Sequence, residues 1–347
     1  MIEIDGSYGE AGGQILRTAI GLSVITQTPV KIFNIRAKRA QPGLKSQHLE
    51  GLRAAAQLCN AKIEGDVLGS TEIKFYPDKI ERTRIEINIP TAGSIGLVLQ
   101  VLQLACVYAP GPVEIVINGG ADFGKFAPPI PWLQAVLLPL LKKMGYEIEI
   151  NSIRSGFYPK GGAITKIDIT PVSKLSPIFL IEQGKFSFVK GISVAAQQLK
   201  QRMVAERQAV AASKFIEKEA GLKSKIDCAY VEAANPGSGI VLWAETDSGA
   251  VLGSSEVGQI GITAEQVGQS AAKSLIDDAK TGACIDRHAA DQILPFLALA
   301  NGKSIITVPQ LTSHAKTNMW VIKKFLNVDF SIFGEKPVRI ECTGSSM

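Results

Sequence analysis

The chain has 347 residues, 46% of them hydrophobic, and a net charge of +5. That length and apolar content support two full cores, while so mild a charge does not by itself make a nucleic-acid binder. The chain opens on a short strand with no basic and apolar leader before it, and its longest apolar stretch, 95–110, is broken by Gln100 and Gln103. A soluble, cytoplasmic protein with no membrane contact is therefore expected.

In chain order, residues 2–4 read as a strand and 14–26 as a helix, opened by the Gly-rich Gly6-Ser-Tyr-Gly-Glu-Ala-Gly-Gly. A strand over 30–35 follows, then a helix over 47–58 with apolar Leu49, Leu52, Ala55 and Ala56 on one face, then short strands over 62–64 and 71–76. The same order recurs: strand 84–89, helix 97–108, strand 113–118, helix 131–144, strands 146–151 and 163–170. A third copy has an opening strand near Leu180, helix 288–299, strand 304–308, a helix from 316 to 326, and closing strands 328–333 and 338–342. A self-similar unit of this kind needs neighbours to cover its apolar face. Between the third opening strand and its helix lie strand 187–195, helix 199–220, strands 224–231 and 239–245, and helix 264–279, with Ser-Gly-Ala and Gly-Ser-Ser reading as turns. The expected architecture is α/β (α+β): a large domain, 1–183 plus 281–347, of three βαβαββ units, and a smaller α/β domain, 184–280, inserted in the third.

Five cysteines, Cys59, Cys106, Cys228, Cys284 and Cys342, show no CxxC spacing, which argues against a zinc cluster or disulfide framework. Four segments can carry chemistry. Gly6–Arg17 places four glycines around Glu10, with Gln14 and Arg17 following at i+4 and i+7, and reads either as a ligand-hugging loop or as a tight turn. From 31 to 45 the chain has Lys31, Arg36, Lys38, Arg39 and Lys45 and no acid, and His48 opens the next helix. Arginines offer phosphate a fixed fork of donors, so this loop is either an anion site or a solvated basic face. Gln100 lies on an apolar helix after the Gly/Ser loop at Thr91, and a buried amide needs a partner. His288, Asp291 and Gln292 share a helical face at i, i+3, i+4, a spacing that suits a ribose and base pocket, although an acid near a helix start also complements the dipole. His314, in Leu311-Thr-Ser-His-Ala-Lys-Thr-Asn, falls where a strand gives way to a helix, and on position alone is either a helix cap or a nucleophile or base beside an anion site.

Taken in order, Gly6–Arg17, Arg36–Leu52, Gly69-Ser-Thr-Glu-Ile, Thr91–Gln100, Gly119-Gly through Ala127-Pro128, His288–Gln292 and Leu311–Asn318 resemble the RNA 3′-terminal phosphate cyclases nearly end to end. The resemblance implies ATP-dependent conversion of an RNA 3′-phosphate to a 2′,3′-cyclic phosphodiester, with AMP and pyrophosphate released. It implies His314 as the residue that becomes adenylylated, and Gln100, Pro128, His288, Asp291 and Gln292 as the ATP/AMP pocket. Residue 288 is often tyrosine in the family, so His288 keeps a stacking ring but loses the hydroxyl. The resemblance also implies Arg17, Arg36, Arg39 and His48 as groups for the RNA phosphate, and Glu10 as a carboxylate for Mg²⁺ or Mn²⁺. The expected partner is RNA with a 3′-terminal phosphate; whether the chain works alone or as a homodimer is left open. A related branch serves ribosomal RNA processing as a non-catalytic assembly protein and lacks the histidine, so the presence of His314, Thr312, Lys316 and Asn318 favours the enzyme. Enolpyruvyl transferases share similar folding units but need neither the Arg36–His48 loop nor His314.

Overall fold

The computed structural model describes residues 1–124 and 127–345. Those residues form four four-stranded sheets. The first holds Ile2–Asp5, Val30–Phe33, Ile73–Tyr76 and Lys62–Glu64 in that spatial order. Its first two strands are parallel, and the others pair antiparallel. A parallel pair cannot be joined by a tight turn, and the helix Gly13–Thr26 supplies the crossover. The second sheet repeats the order with Arg84–Ser94, Val113–Ala121, Ile164–Thr170 and Glu147–Arg154, its crossover helix being Ile95–Ala105. The third repeats it again with Phe179–Leu180, Lys303–Val308, Val338–Thr343 and Phe330–Phe333. Phe179–Leu180 and Lys303–Val308 are parallel neighbours, and the chain between them builds the fourth sheet and the helices Val204–Ala220, Ala264–Ala279 and Arg287–Leu299. The fold is mixed α/β.

The helix Gly13–Thr26 is buried from Gln14 to Val24, because it packs against the helices Ser46–Cys59, Ile95–Ala105 and Ser313–Phe325 at once. This explains its unbroken apolar run Ala19-Ile20-Gly21-Leu22 where a surface helix would alternate faces. It also brings polar Gln14, Arg17 and Thr18 into the middle of the molecule.

Several elements differ from expectation. Val251–Val257 is a strand, although it contains the Gly-Ser-Ser expected as a turn. Its small residues permit close packing: a Cβ on Gly253 would lie 2.3 Å from Val136 Cγ2 and 3.0 Å from Trp132 Nε1. Ser254 donates its hydroxyl to Ala271 O at 2.7 Å, so its polarity is satisfied inside. The expected helix over 199–220 is two pieces, a 3₁₀ turn Gln197–Arg202 and the helix Val204–Ala220, separated by Met203 at φ +50°. The helix over 130–143 carries a π turn at Leu133–Leu137. Arg84–Ser94 runs five residues past the expected strand end, through a register shift between Ile89 and Ser94. All five cysteines are free thiols, and four are buried.

Candidate active site

Thr312 caps the helix Ser313–Phe325: its hydroxyl oxygen accepts the Ala315 N–H at 2.9 Å. The helix thus begins three residues earlier than the sequence pattern suggests, and His314 stands in its first turn. The capping reading of His314 falls, since Thr312 does that work. The Thr312 hydroxyl also donates to the Asp291 carboxylate. The neighbouring helix Arg287–Leu299 is likewise capped by another residue, Asp286, which accepts the His288 and Ala289 N–H groups at 2.8 and 3.0 Å. Asp291 is therefore free of a capping role and belongs to the second turn.

A chain of hydrogen bonds runs through the buried polar groups. Asn318 Nδ2 donates to Asp291 O at 2.6 Å, and Thr18 Oγ1 donates to Asn318 Oδ1 at 2.5 Å. Gln14 Nε2 donates to Thr18 Oγ1 at 3.2 Å, and an Arg17 Nη donates to Gln14 Oε1 at 3.0 Å. Arg17 Nε completes the run by donating to Gln100 Oε1 at 2.5 Å. Three helices and the Arg17 helix between them are thereby locked into one polar register, with each buried group supporting the next. Thr18 matters here as much as Gln14 and Asn318, which the sequence singled out. Only the i+4 spacing of Gln14 and Thr18 hinted at it.

Arg17 is 9% exposed, and burial lowers its guanidinium to about 10 with no carboxylate among the described residues to offset it. A buried cation in that state favours an incoming anion. His48 meets it over the first residue of the helix: a Cβ on Gly13 would lie 2.2 Å from His48 Nε2 and 2.8 Å from Arg17 Nη1. His48 Nδ1 accepts the Lys45 N–H at 3.1 Å, which leaves the ring proton on Nε2, facing Gly13. Burial first, then Arg17, Arg36 and Lys45, push His48 down to about 3, so the ring is neutral. The helix N-cap is Gly12, with no side-chain acceptor, so the first-turn N–H groups remain open to an anion.

Glu10 closes the other side. Its Oε2 is 3.0 Å from His314 Nε2 and 3.8 Å from an Arg39 Nη. Burial lowers the His314 pKa; Glu10 raises it, and Arg17 and Arg39 lower it. The imidazole is accordingly neutral near pH 7, with one unprotonated nitrogen. Arg36 lies near enough to His48 and Arg39 to act on them electrostatically and also holds its own loop. At φ +55°, it donates to Gln41 O at 2.8 Å and Gly43 O at 3.1 Å and so braces its own loop.

A cavity of about 440 Å³ brings together His314, Asp291, Gln292, His288, Pro128, Gln100 and Arg17. Its volume is in the range of small-molecule sites. Burial raises the Asp291 carboxyl to about 7, against the pull of the Thr312 hydroxyl. Gln292 Oε1 is buried with no hydrogen-bond partner, an acceptor that a bound ligand's donor would satisfy. His288 stands exposed at the rim. The remaining wall was not legible in the sequence: Trp132, and Ser255, Glu256 and Val257 from the fourth sheet. Of the segment Gly119–Pro128, Lys125 and Phe126 lie outside the described residues. No cluster of three His, Cys, Asp or Glu side chains placed to hold a metal occurs among the described residues. Glu10 offers a carboxylate, a donor that fits Mg²⁺ when phosphate oxygens and water complete the shell.

The model of the family described as RNA 3′-terminal phosphate cyclase matches residues 8–332. A protein of Methanopyrus kandleri named RNA 3′-terminal phosphate cyclase is 45% identical over 348 residues, covering 98% of each chain. Proteins of the same name from Pyrococcus abyssi and Ignicoccus hospitalis are 44% and 43% identical, covering 98% and 96% of each chain.

Proposed function

The chain belongs to the RNA 3′-terminal phosphate cyclase family, and from that premise we propose that it is a ligase-type enzyme that converts RNA 3′-phosphate ends to 2′,3′-cyclic phosphodiesters at the expense of ATP. The observation that carries this reading is a histidine lining a nucleotide-sized cavity together with a buried arginine that no carboxylate among the described residues pairs.

The reaction has three transfers. A neutral His314 nitrogen attacks the α-phosphorus of ATP, and pyrophosphate leaves, giving an adenylyl-histidine. An oxygen of the RNA 3′-phosphate then attacks the same phosphorus; the bond to histidine breaks, and an RNA–adenylate anhydride forms. Finally the adjacent 2′-hydroxyl attacks the RNA phosphorus, its proton is lost and AMP departs. The covalent step divides one difficult transfer into easier ones. The last step is intramolecular, so a held geometry supplies much of its rate.

The roles are those that the family resemblance implies, and the shared cavity supports them. Asp291 and Gln292 take the ribose and base of ATP, with Pro128 and His288 on the faces of the adenine and Gln100 beside them. Arg17 and His48, over the open N-terminus at Gly13, take the RNA phosphate, with Arg39 at its outer edge and Arg36 bracing the loop. Glu10 would hold Mg²⁺ or Mn²⁺, which neutralises phosphate charge when bound. We place the enzyme in the cytoplasm; no helix among the described residues is long and apolar enough to cross a membrane.

The test is direct. With α-labelled ATP and a divalent metal, the denatured protein should retain an acid-labile, alkali-stable label that His314→Ala lacks. Folded wild-type protein that takes no label across a range of metals would overturn the reading.

A further inference from the structure

Tyr8 and Trp320 stack with ring centroids 4.1 Å apart and planes 11° from parallel. Nothing in the chemistry above uses them. Tyr8 lies at the tip of the Gly-rich loop, two residues before Glu10, and is 44% exposed. Trp320 lies six residues beyond His314 on the same helix, about 9 Å further along its axis. The loop is therefore fixed to that helix at two points, Glu10 on His314 and Tyr8 on Trp320.

Although stacked on Trp320, Tyr8 keeps 44% of its surface exposed. Cations stand near the pair, beside the acids Asp5 and Glu10 of the same loop. Lys324 Nζ is 5.2 Å from the Trp320 ring centroid, and Lys38 Nζ donates to Gly9 O at 3.2 Å. Lys316, Trp320 and Lys324 follow one another at i, i+4, i+8, so one stripe of the helix carries cation, ring and cation, and both lysines are exposed. A partly exposed aromatic pair with cations near it is the chemistry that holds unpaired nucleotides: bases stack on the rings, and cations attract the backbone.

We propose that Tyr8 and Trp320 form a stacking subsite for an unpaired base of the RNA strand upstream of its 3′-terminal phosphate, flanked by Lys316, Lys324 and Lys38. This rests on the cyclase reading, which supplies the strand end at His314. The subsite extends recognition from the terminal phosphate to the preceding bases, without reading their identity, because every base has a face to stack.

The experiment is a cycle on equilibrium binding without ATP. One strand is a short single-stranded oligoribonucleotide ending in a 3′-phosphate; the other is the same strand with abasic residues just upstream of its last nucleotide. Wild type should bind the intact strand about tenfold more tightly than the abasic one. Tyr8→Ala and Trp320→Ala should bind both about equally, at the level of wild type with the abasic strand. Trp320→Phe, which keeps a ring, should restore most of the preference. Equal weakening of both strands in the alanine variants, or no base preference in the wild type, overturns the subsite. Base-dependent binding by a protein that takes no label from ATP would instead overturn the reaction and leave the subsite standing.

Discussion

Asp286 shows how one buried carboxyl ties three parts of the molecule. Its oxygens accept the His288, Ala289 and Gly253 N–H groups, the last at 3.1 Å, and so join the start of the Asp291 helix to the strand Val251–Val257. It is 0% exposed, and burial raises its carboxyl to about 7 against the pull of those bonds. In the unfolded chain the group returns to about 3.9. The folded state then holds the proton more tightly, so this residue's contribution to stability is complete below about 3.9 and is lost as the pH rises through about 7. Asn caps a helix as well as Asp and cannot ionise. The difference in Tm between Asp286→Asn and wild type should therefore grow in the variant's favour from acid pH to above neutrality, as thermal scans across that range would show. A difference that shrinks as the pH rises would mean that the three N–H bonds outweigh burial.

At the scale of elements, the cap of the His314 helix does two jobs. Thr312→Ala removes an acceptor from the Ala315 N–H and a donor from Asp291, and should cost about 1–2 kcal/mol of stability. It should also slow adenylylation, since Asp291 and the first turn lose their common anchor. Thr312→Ser should recover both, and denaturant unfolding with labelling rates would settle it. Such a cap was half legible. The i, i+3, i+4 spacing of His288, Asp291 and Gln292 does place them in one cavity, because helical periodicity is a local property. The ordered motifs likewise pointed to His314. By contrast, Thr18 and Asn318 meet only through tertiary packing, and a threonine four residues after Gln14 looks like any other helix residue. The strand Val251–Val257 was illegible for a related reason. Gly253 and Ser254 carry turn composition, and what makes them a buried strand is the surface of Trp132 and Val136, far earlier in the chain. Arg36, at φ +55°, uses one side-chain nitrogen, Nη1, to hold Gln41 O and Gly43 O, a loop contact that its residue type did not announce.

The whole molecule is arranged so that the cavity has walls from distant parts of the sequence. Trp132 packs on Gly253 and lines the cavity, and the same strand supplies Ser255, Glu256 and Val257. Gly253→Val should force this contact apart, costing about 1–3 kcal/mol, and should raise the KM for ATP as the Trp132 wall shifts. Gly111→Ala, where an added Cβ meets nothing within 4 Å, is the control and should leave both unchanged. If Gly253→Val lost stability with no effect on KM, the wall would be packing alone. We retain as a proposal the division into 1–183 plus 281–347 and 184–280, with Gly253 in close contact with Trp132 and Val136 across it.

The parallel pairing of Phe179–Leu180 with Lys303–Val308 brings time into this arrangement. Synthesis runs from the N-terminus, and early segments fold as they emerge. The strand Phe179–Leu180 must wait, unpaired, while the whole fourth sheet is made, and that long closure is slow to form. Asp291 and Gln292 lie just before the returning strand and His314 just after it. A growing chain can thus complete its first two sheets before the helix Ser313–Phe325, which carries His314, has been made.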